Sequence, residues 1–144
     1  MPLLTPKQIT IVEVAPRDGL QGEDRVLSTD VKLELLEQLA DAGHTVIEAT
    51  SFVSPKAVPQ LADAEELMKR LRFRPGVRYT ALVPNETGLE RAVSCGVKEI
   101  AIFASASESY SRKNLNRSRD DGSIGRQRVV TRPVEVLSGV ALAR

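Results

Sequence analysis

Two stretches decide the fold: "DAGHTVIE" (Asp41–Glu48) and "SCGVKEIAI" (Ser94–Ile102). Both read the same way. A helix ends, a glycine follows, a short link leads on, and a buried strand begins. Glycine suits the left-handed position that closes a helix, so Gly43 and Gly96 mark two helix ends. The strands that follow are "TVIEA" (Thr45–Ala49) and "KEIAIF" (Lys98–Phe103). A repeated helix-to-strand unit of this kind implies a parallel sheet with helices outside it. Its crossovers are expected to be right-handed.

The remaining elements fit between and before these two. "ITIVEV" (Ile9–Val14) reads as a β-branched strand. Ser28 or Thr29 is placed to cap the helix after it. In that helix Val31, Leu35, Leu36, Leu39 and Ala40 share one face at helical spacing. Asp63 is placed to cap a second helix, Ala64–Leu71, with Leu67, Met68 and Leu71 inward. "RYTALV" (Arg78–Val83) is a further strand, and Glu86–Ser94 a third helix. The class is α/β, built of parallel β/α units. Four strands with three helices between them match half of an eight-fold β/α barrel. An open doubly wound sheet is the alternative. The long first strand–helix loop, which holds no glycine-rich phosphate turn, argues against it.

Bulk properties exclude several functions. The net charge is +1, so no strong field favours nucleic acid or an anionic membrane. Only 3% of residues are aromatic and there is no Trp, which argues against stacking platforms for single strands. No apolar run reaches the roughly 18 residues needed to span a bilayer. "MPLLTPKQ" reads as neither an export nor an organelle signal, and Cys95 is the only cysteine. A reducing cytoplasm is therefore expected.

In a parallel barrel, reactive groups gather beyond the carboxyl ends of the strands. The first strand delivers Arg17, Asp18 and Gln21 to that end. The second delivers Glu48, Thr50 and Ser51, and the third Asn85. The fourth delivers Ser105, Ser107, Glu108, Lys113 and Asn114. Polar loops are ordinary. Glu48 is not, because it lies inside an apolar strand, where an unpaired carboxylate is costly. Asp18 is a hard oxygen donor suited to Mg²⁺ or Mn²⁺. Arg17 keeps its charge and can hold developing negative charge without acting as an acid. A local turn salt bridge explains the Arg17–Asp18 pair equally well at this level.

"VEVAPRDGLQGE" (Val12–Glu23), "VIEATSFVSPKAVPQLAD" (Val46–Asp63) and "VPNETGLERAVSCGVKEIAIFASASESYSRKNLNRS" (Val83–Ser118) together resemble the hydroxymethylglutaryl-CoA lyase family. The "RDG-Q" element alone marks a wider group. That group includes isopropylmalate synthase, homocitrate synthase and the carboxyltransferase domain of pyruvate carboxylase. "TSFVSPK-VPQ" (Thr50–Gln60) is narrower and points to the lyase branch. The resemblance implies a TIM (β/α)8 barrel of the pyruvate carboxyltransferase type, represented here by its N-terminal half over residues 6–118. It implies cleavage of 3-hydroxy-3-methylglutaryl-CoA, an acyl-CoA, to acetoacetate and acetyl-CoA with a divalent cation, Mg²⁺ or Mn²⁺, in leucine degradation. By residue match, Asp18 is the metal ligand, Arg17 steadies the enolate oxygen, and Glu48 is a catalytic contact that sets both. Gln21, Ser51, Ser105, Lys113 and Asn114 are the implied substrate contacts.

The family pattern also has a later His-x-His pair, an Asn and a mobile-loop Cys. His44, the only histidine, lies at the amino end of the strands, and Cys95 ends a helix on that same side. The metal site is therefore expected to be incomplete. Two other readings stay open: a non-catalytic fragment or pseudoenzyme, and a related acyl-CoA condensing synthase. Half a barrel has open parallel edges, which can pair with another chain and give a homo-oligomer. From Arg119 the character changes. The tail 119–144 holds five Arg, three Gly and no Lys, with no helical period. It reads as a divergent, frameshift-like segment. "VVTRPVEVL" (Val129–Leu137) offers a short strand there, and Pro133 confines it to an edge.

Overall fold

The computed structural model describes residues 9–102 and the strand Glu135–Ser138. The elements run α1 (Thr29–Asp41), β1 (Val46–Ser51), α2 (Ala64–Arg70), β2 (Arg78–Leu82), α3 (Glu86–Ser94), β3 (Glu99–Ile102) and β4 (Glu135–Ser138). The sheet order is β1-β2-β3-β4 and every pairing is parallel. The chain is thus an open partial β/α barrel. β4 lies at the edge beyond β3.

Each turn of the chain has a local cause. Ser28 caps α1, its hydroxyl accepting from Val31 N at 3.4 Å, and Asn85 caps α3, accepting from Gly88 N at 2.9 Å. Gly43 and Gly96 close α1 and α3 with φ of 96° and 78°, a left-handed backbone that side chains resist. β1 is buried along its whole length, as expected of a parallel strand covered on both faces. Ile47, Ala49, Tyr79, Ala81, Val83 and Ile100 meet Leu36, Leu67, Met68, Leu89 and Ala92 in one core between sheet and helices.

Two expectations are corrected. Ile9–Val14 is not a strand. It touches the sheet only through a bridge between Glu13 and Ile47, with Glu13 N donating to Val46 O at 2.9 Å and Glu48 N to Glu13 O at 2.8 Å. Ile9 and Ile11 are exposed. A β-branched run becomes a strand only where a ladder and a covering layer receive it. The inward face of α1 is also rotated from the apolar count. Val31 is exposed, while Thr29, Lys32 and Leu36 are buried and Leu33, Leu39 and Ala40 pack on the core. Lys32 can enter because its stem is apolar and its ammonium finds partners inside.

Candidate active site

The chain leaves Val14 in a π-helical turn, Ala15–Gly19, with the buried Pro16 at its second position. Arg17 N and Asp18 N both donate to Val14 O, at 3.0 and 2.7 Å. Such π turns are uncommon and often mark functional positions. This one points Arg17 back across β1. Arg17 Nε donates to Glu48 Oε1 in a short ion pair, and Nη1 donates to Asp18 Oδ1 at 2.6 Å. Exposure grades outward along the triplet: the side chains are 6% exposed at Glu48, 17% at Arg17 and 63% at Asp18. Glu48 therefore anchors the guanidinium from inside, and Asp18 meets it at the solvent side. Nη2 has no protein partner among the described residues.

The sheet adds a feature that the sequence pattern does not show. The register of β1 against β2 slips between Glu48 and Thr50: Glu48 pairs with Thr80, Thr50 with Ala81 and Ser51 with Leu82. Paired residues of parallel strands share a face. Glu48 and Ser51, three residues apart, would lie on opposite faces of a regular strand. The bulge brings both to the face away from the helices, a re-aiming common beside active sites. Ser51 is fully buried and its Oγ donates to Leu82 O at 3.2 Å. Thr80, next to Glu48 in the register, is fully buried, and its hydroxyl has no hydrogen-bond partner among the described residues. Sequence reasoning passed over Thr80. The available signal was a hydroxyl in an otherwise apolar strand, and it became informative only once the register set it beside Glu48.

The other named residues separate clearly. Gln21 is exposed just beyond the π turn. Ser105, Lys113 and Asn114 lie outside the described residues, as does the Arg-rich tail apart from β4. His44 Nε2 lies 3.7 Å from Glu13 Oε2, at the amino end of β1 and away from the Arg17 rim. Cys95 is half-buried against the core. Neither joins Arg17, Asp18 and Glu48. Among the described residues no group of three or more His, Cys, Asp or Glu is placed to hold a metal ion. Asp18 is a suitable oxygen donor for a hard cation, yet one carboxylate that already shares an oxygen with Arg17 does not make a metal site.

A family model described as HMGL-like matches residues 8–135. The chain belongs to the HMGL-like family. It is 53% identical over 116 residues to the mitochondrial hydroxymethylglutaryl-CoA lyase of Macaca fascicularis, covering 81% of this chain and 36% of that protein. It is 53% identical over 121 residues to the cytoplasmic 3-hydroxy-3-methylglutaryl-CoA lyase of Mus musculus, covering 84% of this chain and 35% of that protein. Among solved structures it resembles an HMG-CoA lyase of Acinetobacter baumannii in complex with coenzyme A and 3-methylmalate. That match has a TM-score of 0.86 and 35% identity, over 91% of this chain and 44% of that one. This HMGL-like chain thus spans about a third of the length of the curated relatives it matches. Among its described residues no helix is long and apolar enough to cross a membrane.

Proposed function

We propose that Arg17, Asp18 and Glu48 form the charge-handling part of a carbon–carbon lyase centre acting on 3-hydroxy-3-methylglutaryl-CoA. The observation that carries this reading is the guanidinium fixed at the carboxyl rim, anchored by Glu48 and open at Nη2. Cleavage removes the proton of the tertiary hydroxyl, breaks the adjacent carbon–carbon bond and releases acetoacetate. The electron pair left on the acetyl-CoA side is an enolate, which then takes a proton. A permanently charged donor pre-set at the enolate oxygen lowers the barrier without reorganising during the step. Glu48 keeps the guanidinium from rotating away. A divalent cation would supply Lewis acidity to the hydroxyl oxygen. The described donors do not complete a site for one, and the role assigned to Arg17 does not depend on it. Gln21 stands at the exposed side of the rim, where an acyl-CoA would enter.

The test is acetyl-CoA release from 3-hydroxy-3-methylglutaryl-CoA by the purified protein, with Mg²⁺ or Mn²⁺ supplied. Activity that falls by about 10²–10³-fold in Arg17→Gln, the usual cost of one oxyanion donor, supports the reading. Activity equal in the variant and the parent would place the chemistry elsewhere. No release from the parent chain favours the non-catalytic reading.

A further inference from the structure

Behind the Arg17 rim lies a buried polar cluster that the proposed reaction does not use. Lys32, on the first turn of α1, is 2% exposed. Its Nζ donates to Gln60 O at 2.6 Å and pairs with Asp63 Oδ1 at 2.5 Å. Thr29 Oγ1 donates to the other carboxylate oxygen, Asp63 Oδ2, at 2.9 Å. Asp63 stands at the N-cap position of α2, yet its side chain makes no capping bond. Both of its oxygens are turned to α1 instead. Gln60 continues the chain of contacts, its Nε2 donating to Glu23 O at 2.8 Å. From there Glu23 N reaches Leu20 O at 3.2 Å and Gly22 N reaches Gly19 O at 3.1 Å, closing on the turn that holds Arg17.

The energetics point away from simple stabilisation. A buried ion pair pays a desolvation cost that its attraction barely offsets, and an apolar pair of like volume often serves stability as well. An ordinary N-cap at Asp63 would also have been available. What the cluster does achieve is geometric. One ammonium fixes the loop after β1 to α1, and through Gln60 that loop is fixed to the segment after Arg17.

We infer that Lys32 is a positioning residue that joins the two rim loops, residues 17–28 and 53–63, into a single unit, so that a ligand held at Arg17 orders both. The ligand part of this inference rests on the lyase reading above; the coupling itself does not. Three variants isolate the coupling. Lys32→Met keeps the stem and removes the charge. Lys32→Met with Asp63→Leu removes the pair together, so no buried charge is left alone. Gln60→Ala cuts only the link to Glu23 and disturbs no buried ion pair.

Amide hydrogen exchange of the full chain, read by mass spectrometry, gives the result. Without ligand, each variant is expected to speed exchange in 17–28 by roughly fivefold, the loss of about one hydrogen bond, while β1 and β2 amides keep their protection. With 3-hydroxy-3-methylglutaryl-CoA added, the parent is expected to slow in both loops and the Gln60→Ala protein in 17–28 only. Exchange in 17–28 unchanged by Gln60→Ala overturns the coupling, as does equal ligand protection of both loops in that variant. Exchange in 17–28 unchanged in the Lys32 variants overturns the role of Lys32; should Lys32→Met fail to fold, the double variant, which leaves no buried charge alone, decides it. If the added acyl-CoA slows neither loop of the parent, the lyase reading fails, and the ligand-free comparison still decides whether the loops are joined.

Discussion

The segment Ile9–Val14 and strand β1 have nearly the same character in sequence and opposite fates in the structure. "ITIVEV" and "VIEATS" are both six-residue stretches rich in β-branched residues that carry one glutamate each. β1 is buried at all six positions, with β2 on one side, the Glu13 bridge on the other and helices α1 and α2 above. Ile9 is 75% and Ile11 73% exposed, and the segment makes one bridge. The difference lies in neighbours, not residues. A parallel strand needs a ladder on each side and a covering layer. Where one ladder is missing, β propensity alone does not recover the cost of ordering the backbone.

That contrast predicts very different responses to the same truncation. Ile47→Ala should cost about 2–5 kcal/mol in chemical denaturation, because its cavity opens in a packed core. Ile11→Ala should change the same midpoint by less than about 0.5 kcal/mol. An Ile11 effect as large as that of Ile47 would mean the segment is paired in solution. Sedimentation at two protein concentrations would then show whether a second copy supplies the ladder. Gly88→Ala probes the covered side of the sheet from α3. A Cβ there would stand 2.7 Å from Phe52 O, a backbone atom, so a destabilisation of about 1–3 kcal/mol is expected on thermal melting.

The inner face of the sheet should answer in the other direction. Thr80→Val replaces a buried hydroxyl that has no partner among the described residues with an isosteric methyl. Stability should stay level or rise by about 1 kcal/mol. A clear loss would show that the hydroxyl is satisfied in solution, by water or by another chain. The smallest effect belongs to the periphery. The Arg91 hydrogen bond holds the Glu65 carboxyl below its ordinary value of 4.5. A depressed folded-state value adds stability that is present above 4.5 and lost as pH falls through the lower, folded-state value. Glu65 is 43% exposed, so screening limits the contribution to a few tenths of a kcal/mol. Glu65→Gln should flatten the acid limb of the melting profile by about that much.

Much of this was legible in the sequence. Ser28 starts α1, and Gly43 and Gly96 close α1 and α3, because a capping hydroxyl and a left-handed glycine act locally, whereas Asn85, read only as a rim residue, caps α3. Glu48 stood out because a carboxylate in an apolar strand needs a reason, and Arg17 proved to be its partner. Other features depend on contacts between distant segments. Lys32 reads as a solvent-facing charge until Asp63 and the Gln60 carbonyl, about thirty residues away in the chain, are brought to it. Ser51 and Glu48 share a face only because β1 slips its register against β2. Neither a helical period nor a strand alternation contains that information.

The sequence alone determined the alternation of strand and helix, the places where helices begin and end, and the rim to which Arg17, Asp18 and Glu48 belong. These follow from propensity, capping and burial, which act over a few residues. Tertiary structure decided which apolar runs became strands, which face each rim residue took, and where a buried lysine found its anion. Those outcomes turn on pairing partners and desolvation, which exist only once remote parts of the chain have met.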